Sequence, residues 1–565
     1  MAQVEVIRSL MTPPLSEETQ SVDYVEIVHE AVKKPAHEQV KFERNMGDTE
    51  LSYFLPSRQS GVNDMYLHLG FSAPDHVVSR SRVRTVWAIL RMRHPLLAAH
   101  AEMHDYDDVR FVYTVPRSTN ELLSNADANL EYRTQGKDEL IDSYLNGPRT
   151  LSNTRLSYLI LSQSSAPHSP LTPPRTPSPV SDVSGSSDIS DESTTELQSQ
   201  FELLICAMHF LGDGMALHAF ANDFFGLLGS DKTDLELELI LSEEWHTRWG
   251  SSTNNAAILP STLEDNIPLE WSRLRSVAAD VDFQMSQQKL VGGQTFPRRK
   301  HPERHTIVPT VSFPEDRMKA ILKKCKANGV SISAALFAIC NVAWARVGCG
   351  SGEVPSLMYS ALNLRPYFTV QKDPLWNSYW YLAIGYFNVI LPNFLPSEKE
   401  KVVSTFWHRA RQAKEQSTKA AKNPLIVSRT HKMSKERGER ARAWAREDDV
   451  KEKGTWVPPT PKPVDTTQQR EPVLPARAKA SSAALMGLSL LGNLDGIYKH
   501  ATFPSVKMHT LTTGSRQRNG AMLLFGYTFA GKLWISLGYD KNGFQEGIVD
   551  KFWDETLHCV DEFLG

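Results

Sequence analysis

The chain has few cysteines and no long hydrophobic runs. Its five cysteines in 565 residues are odd in number and never spaced as C-x-x-C, which argues against a disulfide framework or a zinc site. No apolar run reaches the ~18 uninterrupted residues that suggest a membrane span, and the first residues lack the apolar core of a signal peptide. These absences predict a cytoplasmic protein without a membrane span.

The chain also lacks an excess of either charge. It carries 62 basic and 65 acidic side chains, so there is no electrostatic case for a nucleic-acid partner. The basic run within 431–480 is offset by neighbouring acids, which favours a solvated helix over a nucleic-acid contact.

The common catalytic signatures are absent as well. The sequence contains no phosphate loop of the form GxxxxGK[ST], no GxSxG elbow and no HExxH metal helix. His94, His100 and His104 lie close together in the sequence, and on a helix His100 and His104 could share a metal ion. No carboxylate or cysteine partner is evident, so we favour surface histidines and expect no metal.

Hydrophobic residues make up 41% of the chain, enough for sizeable cores, and strand-like and helix-like patterns alternate in both halves. This predicts an α/β fold with two lobes. We expect an N-terminal arm (1–50), an N-terminal lobe (51–300) and a C-terminal lobe (301–565). Two insertions interrupt the lobes, a Ser/Pro-rich one at 164–200 and a charged, then Pro-rich one at 425–480.

The first insertion is predicted to be disordered because it is rich in Ser, Pro and Thr and has no aromatic residues. The strand-like sequence pattern stops at 163 and resumes at 201, so the strands on either side of the insertion should be hairpin partners. Its Ser-Pro and Thr-Pro steps suit a proline-directed kinase or an SH3-type contact. A tolerated loop insertion is the reading we favour, since closure entropy grows slowly with loop length.

The remaining pattern predicts further elements on either side of these insertions. Helices are expected at 215–229, 314–329, 331–348, 397–416 and 544–564, and strands at 305–313, 356–366 and 381–392, with a hairpin over 521–540 that turns at Ala530 and Gly531.

One polar motif closes a hydrophobic strand, His209-x-x-x-Asp213-Gly214 in "MHFLGDG". One interpretation is a core histidine that is hydrogen-bonded to the backbone. The other is a general base, because a turn between a strand and a helix can present a neutral imidazole to a cavity. Glycines permit a sharp turn and close approach, and Asp213 could brace the turn by pairing with a distant arginine.

This motif resembles the HxxxDG motif of the CoA-dependent acyltransferase superfamily, which includes BAHD acyltransferases, trichothecene acetyltransferases and condensation domains of peptide synthetases. Five further stretches are similar to family segments in the same order. They are 91–100 ("RMRHPLLAAH"), 329–346, 361–366 ("ALNLRP"), 384–392 ("IGYFNVILP") and 533–540 ("LWISLGYD").

The resemblance implies two chloramphenicol-acetyltransferase-like lobes, each with a mixed sheet and flanking helices, and an active-site tunnel between them. It implies that His209 is the general base and that Asp213 has a structural role at the site. Arg365 is the candidate partner of Asp213, and Gly214 would allow the turn.

Departures from the family pattern narrow the branch. Met208 stands where condensation domains usually carry a second histidine, which favours a free-standing acyltransferase, and the BAHD "DFGWG" loop is absent. The fungal secondary-metabolite branch fits better. Asn388, Thr512, Thr513 and Ser536 are candidates for substrate, CoA or oxyanion contacts; for the three hydroxyl residues, ordinary strand hydrogen bonding is an equal alternative.

The resemblance therefore implies transfer of an acyl group, acetyl above all, to a hydroxyl of a hydrophobic small molecule, with acetyl-CoA as co-substrate and no bound cofactor. We expect a monomer. Three alternatives remain open: an acyl donor carried by a carrier protein, an inactive condensation-like binding module, and another reaction such as cyclisation in the same tunnel.

Overall fold

The structure, a computed structural model, describes most of the two predicted lobes. Most of the predicted arm, nearly all of the Ser/Pro-rich insertion and the Pro-rich end of the second insertion lie outside the described residues. The predicted disorder and kinase or SH3-type contact therefore stay predictions. The described residues are 39–163, 198–250, 258–269, 272–348, 350, 352–368, 377–457 and 482–565.

The first half of the chain alternates strands and helices, as predicted. The end of the predicted arm belongs to this folded part, since its last residues form a strand and the start of a helix. The elements are β1 Lys41–Asn45, α1 Asp48–Ser57, β2 Met65–Pro74, α2 Arg80–Arg93, β3 His100–Met103, β4 Val109–Thr114, α3 Thr119–Asp127, β5 Leu130–Arg133, α4 Lys137–Asn146, β6 Ser157–Ser162, β7 Gln198–Ala207, α5 Gly214–Leu228, α6 Asp234–Trp249, α7 Leu263–Asn266 and α8 Arg273–Gln288.

The second half repeats this alternation with a larger sheet. The predicted hairpin turns at Ala530 and Gly531, whose φ angles of 51° and 69° are both positive. The elements are β8 Thr306–Ile307, β9 Thr310–Phe313, α9 Glu315–Ala327, α10 Ile332–Val347, β10 Ser356–Asn363, β11 Ile384–Leu391, α11 Lys399–Ala421, α12 Ile426–Glu452, β12 Met486–Asn493, β13 Lys507–Ser515, β14 Met522–Phe529, β15 Lys532–Asp540 and α13 Ile548–Leu564.

Short 3-10 helices join several of these elements. They are Asp75–Val78, Pro95–Leu97, His209–Leu211, Arg365–Tyr367, Leu494–Gly496, His500–Thr502 and Lys541–Gly543.

Strand β7 is central to the sheet that leads to the HxxxDG motif. The order of this five-stranded sheet is β13-β2-β7-β6-β5, with β5 and β6 parallel and the other pairs antiparallel. The predicted hairpin partnership of β6 and β7 is confirmed, with Ser157 opposite Ala207. Residues 198–200, assigned to the disordered insertion, instead form the start of β7, because they continue its pairing with β2.

A second mixed sheet organises the other half. Its order is β11-β10-β12-β14-β15-β8, with β9 also pairing with β15, and β12 is parallel to both of its neighbours. Alternate side chains of β14 serve different cores. Leu524 packs with the nearly all-apolar α10, whereas Phe525 and Tyr527 pack with the first half of the chain. The predicted α/β fold with a mixed sheet in each lobe is confirmed.

The second half of the chain supplies one strand to the sheet of the first half. Strand β13, which lies in the predicted C-terminal lobe, pairs with β2 from Lys507 opposite Ser72 to Ser515 opposite Met65. Tyr527 of β14 donates a 2.8 Å hydrogen bond to the Leu511 carbonyl of β13. The five-stranded sheet is therefore completed by a strand that lies in sequence between β12 and β14 of the larger sheet.

Helix α12 differs from the solvated helix expected in the second insertion. This 27-residue helix packs on the 10-residue α1, and its buried face includes small side chains at helical spacing, such as Ser434, Gly438, Ala441 and Ala445. A pattern of small residues between charges has little hydrophobic contrast, so the sequence suggested exposure on all sides.

Four cysteines are buried and unpaired, as the cysteine pattern predicted; they are Cys206, Cys325, Cys340 and Cys559. Within the described ranges, no single helix combines the length and apolar composition of a membrane span. Helices α9 and α10 pass such a test only together, and they are bent by 89°.

Candidate active site

The HxxxDG motif forms the link between β7 and α5. After Ala207 the chain makes one short turn of 3-10 helix, His209–Leu211, and then enters α5 through Asp213. Because β7 is paired on both sides up to its last residue, this turn starts from a rigid base. The imidazole of His209 is consequently held at the end of the sheet, half-buried, where residues from both halves of the chain meet.

The two glycines of the motif have different roles. A Cβ at Gly212 would lie 3.0 Å from the indole of Trp380, so the packing around this position is tight. Gly214 is the first residue of α5, its φ is not positive, and a Cβ there would make only an ordinary 3.4 Å contact with Leu491. The expectation that Gly214 allows the turn is therefore corrected: the tight constraint is at Gly212.

The carboxylate of Asp213 is buried and joins three segments. Its Oδ1 accepts hydrogen bonds from the backbone N–H groups of Met215 and Ala216, which caps α5. Oδ2 accepts from the backbone N–H of Ala383 at 3.0 Å, and both oxygens accept from Arg365 Nη1 at 2.9 Å. Asp213 thus faces the second half of the chain.

Arg365 extends this connection. The residue follows β10, and its Nη2 donates to the carbonyl oxygens of Tyr379 and Tyr381, both at 3.1 Å. The guanidinium also lies over the Tyr381 ring, 5.0 Å from its centroid. Arg365 therefore links segment 377–383 to the 208–214 turn, with Asp213 as its anionic partner.

His94 supports the same segment from the other side. Its Nδ1 lies 2.9 Å from the Ser378 hydroxyl and its ring packs 4.2 Å from the Tyr379 ring. Burial lowers the pKa of His94 to about 3, so the ring is neutral. The 91–100 stretch thus meets the 209–214 and 361–366 stretches around one segment, which gives their co-occurrence a structural reason.

The His209 imidazole has a defined tautomer. Its Nδ1 lies 3.1 Å from the Gly212 carbonyl oxygen, which can only accept, so Nδ1 carries the proton and Nε2 has the free lone pair. Burial lowers the pKa of His209, while the Asp213 carboxylate acts in the opposite direction. Within the described part of the chain Nε2 has no hydrogen-bond partner, as a proton acceptor for a substrate requires.

Three residues near His209 were missed by the sequence analysis. The Tyr53 ring of α1 stacks on the imidazole at 4.2 Å and 20°, and its hydroxyl contacts that of Tyr386 on β11. The guanidinium of Arg437 on α12 lies over both tyrosine rings. Tyr386 falls within the "GYFNV" stretch, but no motif pointed to Tyr53, and Arg437 was hidden in a charged run.

Of the predicted contact residues, Asn388 is on the face of the larger sheet that meets the site. It is two residues from Tyr386 on β11, so both side chains share that face, and it lies opposite Tyr359.

The three hydroxyl candidates lie inside the sheets. Thr513 donates a 3.0 Å hydrogen bond to the Tyr66 carbonyl, while Thr512 and Ser536 are buried with hydroxyl oxygens that have no partner among the described residues. Within the described ranges, none of these hydroxyls hydrogen-bonds to the 208–214 turn.

The loose histidine cluster does not assemble a metal site. Nε2 of His100 lies 2.9 Å from Oε1 of Glu102, and Nε2 of His104 approaches the same carboxylate at 3.9 Å. The surface expectation is wrong for His94, which is buried against Ser378. Among the described residues, no group of three or more His, Cys, Asp or Glu side chains is placed to hold a metal ion.

The fold defines a structural class: it is the architecture shared by solved two-lobed acetyltransferase and condensation-type structures. One solved structure with this fold is the TRI3 trichothecene 15-O-acetyltransferase from Fusarium sporotrichioides, with a TM-score of 0.66, 13% identity and coverage of 93% of this chain and 96% of that chain. No protein-family model and no curated protein sequence matches the chain.

Domains of peptide and polyketide synthases share the fold more distantly. The epimerization domain from the third module of tyrocidine synthetase B has a TM-score of 0.52 at 10% identity, covering 93% of this chain and 98% of that chain. The condensation domain from Monacolin K polyketide synthase MokA has the same TM-score and identity, covering 93% and 97%. The predicted resemblance is confirmed at the level of the fold.

Proposed function

We propose that the protein is an acyltransferase that moves an acyl group, acetyl above all, from acyl-CoA to a hydroxyl of a hydrophobic small molecule of fungal secondary metabolism. The observation that carries the proposal is the imidazole of His209. It is held in one tautomer by the Gly212 carbonyl, kept neutral by burial and left with a free Nε2 lone pair.

In the proposed reaction Nε2 of His209 takes the proton as the acceptor O–H bond breaks and the acceptor oxygen bonds to the thioester carbonyl carbon. Collapse of the tetrahedral intermediate then breaks the C–S bond. The sulfur of CoA leaves as a thiolate and takes the proton from the imidazolium, so the histidine is regenerated without a covalent acyl-enzyme.

Asp213 and Arg365 have a supporting role in this proposal. Every hydrogen bond of the Asp213 carboxylate goes to α5, Arg365 or Ala383 rather than to the imidazole. They would keep His209 at one position between the lobes, which matters because small misplacements of a catalytic group are costly.

The test is acyl transfer from acetyl-CoA to metabolites extracted from the host, followed by mass spectrometry for addition of one acetyl group. We expect His209→Ala to lower turnover by about 10²–10⁴-fold, the usual contribution of a general base. Its matched control is His246→Ala, which changes an exposed histidine on α6 and should leave turnover unchanged. Normal turnover of a folded His209→Ala protein would overturn the proposal.

The pH dependence provides a second check. Since the pKa of His209 is lowered from 6.5, the imidazole stays neutral in solutions slightly more acidic than that value. The acidic limb of kcat/KM should therefore fall below pH 6.5, and a limb above it would contradict the assigned base.

An acyl chain on a carrier protein is the alternative donor, and the similarity to synthase domains supports it. That similarity is weaker than the similarity to the acetyltransferase, because the TM-scores of the synthase domains are lower. A thermal-shift titration with free acetyl-CoA separates the two, because only the CoA-dependent enzyme should be stabilised at low ligand concentration. An inactive binding module would give no turnover with either donor. We further propose that the protein is cytoplasmic and monomeric. Light scattering measures the oligomeric state directly.

A further inference from the structure

Helix α12 brings a positive charge to the catalytic histidine. The guanidinium carbon of Arg437 is 4.5 Å from the centroid of the Tyr386 ring and 5.3 Å from that of Tyr53, within the range of cation–π attraction. The Tyr53 ring in turn stacks on the His209 imidazole at 4.2 Å. The Tyr53 ring therefore contacts the guanidinium of Arg437 as well as the imidazole of His209.

Close contacts on both sides of Arg437 fix its position. Three residues earlier, the Ser434 hydroxyl contacts that of Thr49 on α1, and the next residue, Gly438, lies so close to Asp48 that a Cβ would be 2.4 Å from the carboxylate. A helix anchored this tightly on α1 cannot shift Arg437 without breaking these contacts.

We propose that Arg437 is a positioning residue for the catalytic base: it holds the Tyr53 ring against the His209 imidazole and disfavours its protonation. The inference rests on the proposed function only in taking His209 as the base. An arginine remains charged in proteins, so it opposes a second positive charge on the imidazole beneath the tyrosine ring.

The other charged and titratable groups around the imidazole are few. Asp213, on its own turn, favours imidazolium, but its charge is matched by Arg365 at 2.9 Å. Tyr53 faces the imidazole from α1 and contacts Tyr386 of β11, and burial raises the pKa of Tyr53. Burial itself lowers the pKa of His209, and Arg437 adds to the effect in the same direction.

The experiment is an NMR titration of the full-length protein with labelled histidines, in which the His209 signal is identified by its loss in His209→Asn. No acyl donor or acceptor is needed, so the outcome is independent of the turnover assay that tests the proposed function. The comparison covers the wild type, Arg437→Gln, Arg437→Lys and Arg440→Gln, an exposed arginine on the same helix as the matched control.

We expect Arg437→Gln to raise the titration midpoint of His209 by on the order of half a pH unit or more, as loss of a nearby charge in a partly buried site should. Arg437→Lys should restore most of the shift because it retains the charge, and Arg440→Gln should titrate like the wild type. If Arg437→Gln melts like the wild type and leaves the midpoint unchanged, the proposal is wrong. If Arg437→Gln unfolds, the folded Arg437→Lys variant decides the question. A His209 midpoint in Arg437→Lys as high as that of a histidine in an unfolded chain would overturn the proposal, because the retained charge would then have no effect.

Discussion

At the scale of single residues, the HxxxDG motif divides its work between two neighbouring side chains. In the described part of the chain, Nδ1 of His209 is hydrogen-bonded to the Gly212 carbonyl and Nε2 has no partner, whereas the Asp213 carboxylate accepts hydrogen bonds from α5, Arg365 and Ala383. The motif's spacing explains this division, because one turn of 3-10 helix separates the two residues and α5 begins at the aspartate.

Asp213→Asn is predicted to destabilise the protein more than it weakens CoA binding. The amide can still cap α5, but it cannot match the charge of Arg365, and loss of one member of a buried ion pair costs about 3–5 kcal/mol. Chemical denaturation measures the loss and calorimetry with CoA measures binding. Glu398→Gln, which removes the exposed pair with Lys401, is the control and should cost under about 1 kcal/mol. Abolished CoA binding with unchanged stability would contradict this role.

Sequence patterns located the histidine and its braces because those residues sit in stretches with fixed spacing. Arg365 could be proposed from "ALNLRP", and it does contact Asp213 at 2.9 Å. Tyr53 could not be found this way: it reaches the site only because α1 packs beside the turn, a contact between residues 156 positions apart in sequence.

At the scale of elements, the strands and helices with strong apolar periodicity were predictable, whereas α12 was not. Helix α10 was expected at 331–348 and spans Ile332–Val347, because a helix that is apolar on nearly all sides must be buried. Helix α12 is buried through small residues that carry almost no hydrophobic signal. Its role next to the active site depends on backbone closeness to α1.

Two glycine substitutions should therefore have opposite signs. Gly438→Ala on α12 would place a Cβ 2.4–2.8 Å from atoms of Asp48, so we expect a loss of about 1–3 kcal/mol through overpacking. Gly226→Ala on α5 meets no atom within 4 Å and should stabilise the protein by about 0.5–1 kcal/mol, the helix propensity difference. Denaturation midpoints decide the matter, and stabilisation by Gly438→Ala would show that α12 does not pack closely on α1.

At the scale of the whole molecule, the pairing of β13 with β2 could not be predicted from sequence patterns. The order of strands predicted two lobes, but the residues of β13 alternate no differently from a strand of the second sheet. Its partner is set by the route of the chain after β12, and the pairing with β2 brings together residues more than 400 positions apart. Such non-local pairing also couples the folding of the two halves.

The last prediction concerns this coupling. A fragment of residues 1–300 lacks β13, so β2 would become an exposed edge of its sheet. Leu67 and Leu69 belong to this strand, and an exposed apolar edge strand favours aggregation. We expect that fragment to be insoluble or to unfold without a cooperative transition. The matched control divides the chain between 457 and 482, which cuts no described element, and the two co-expressed pieces should associate and unfold together. A soluble 1–300 fragment with its own sharp thermal transition would mean that β13 merely covers a sheet that is stable without it.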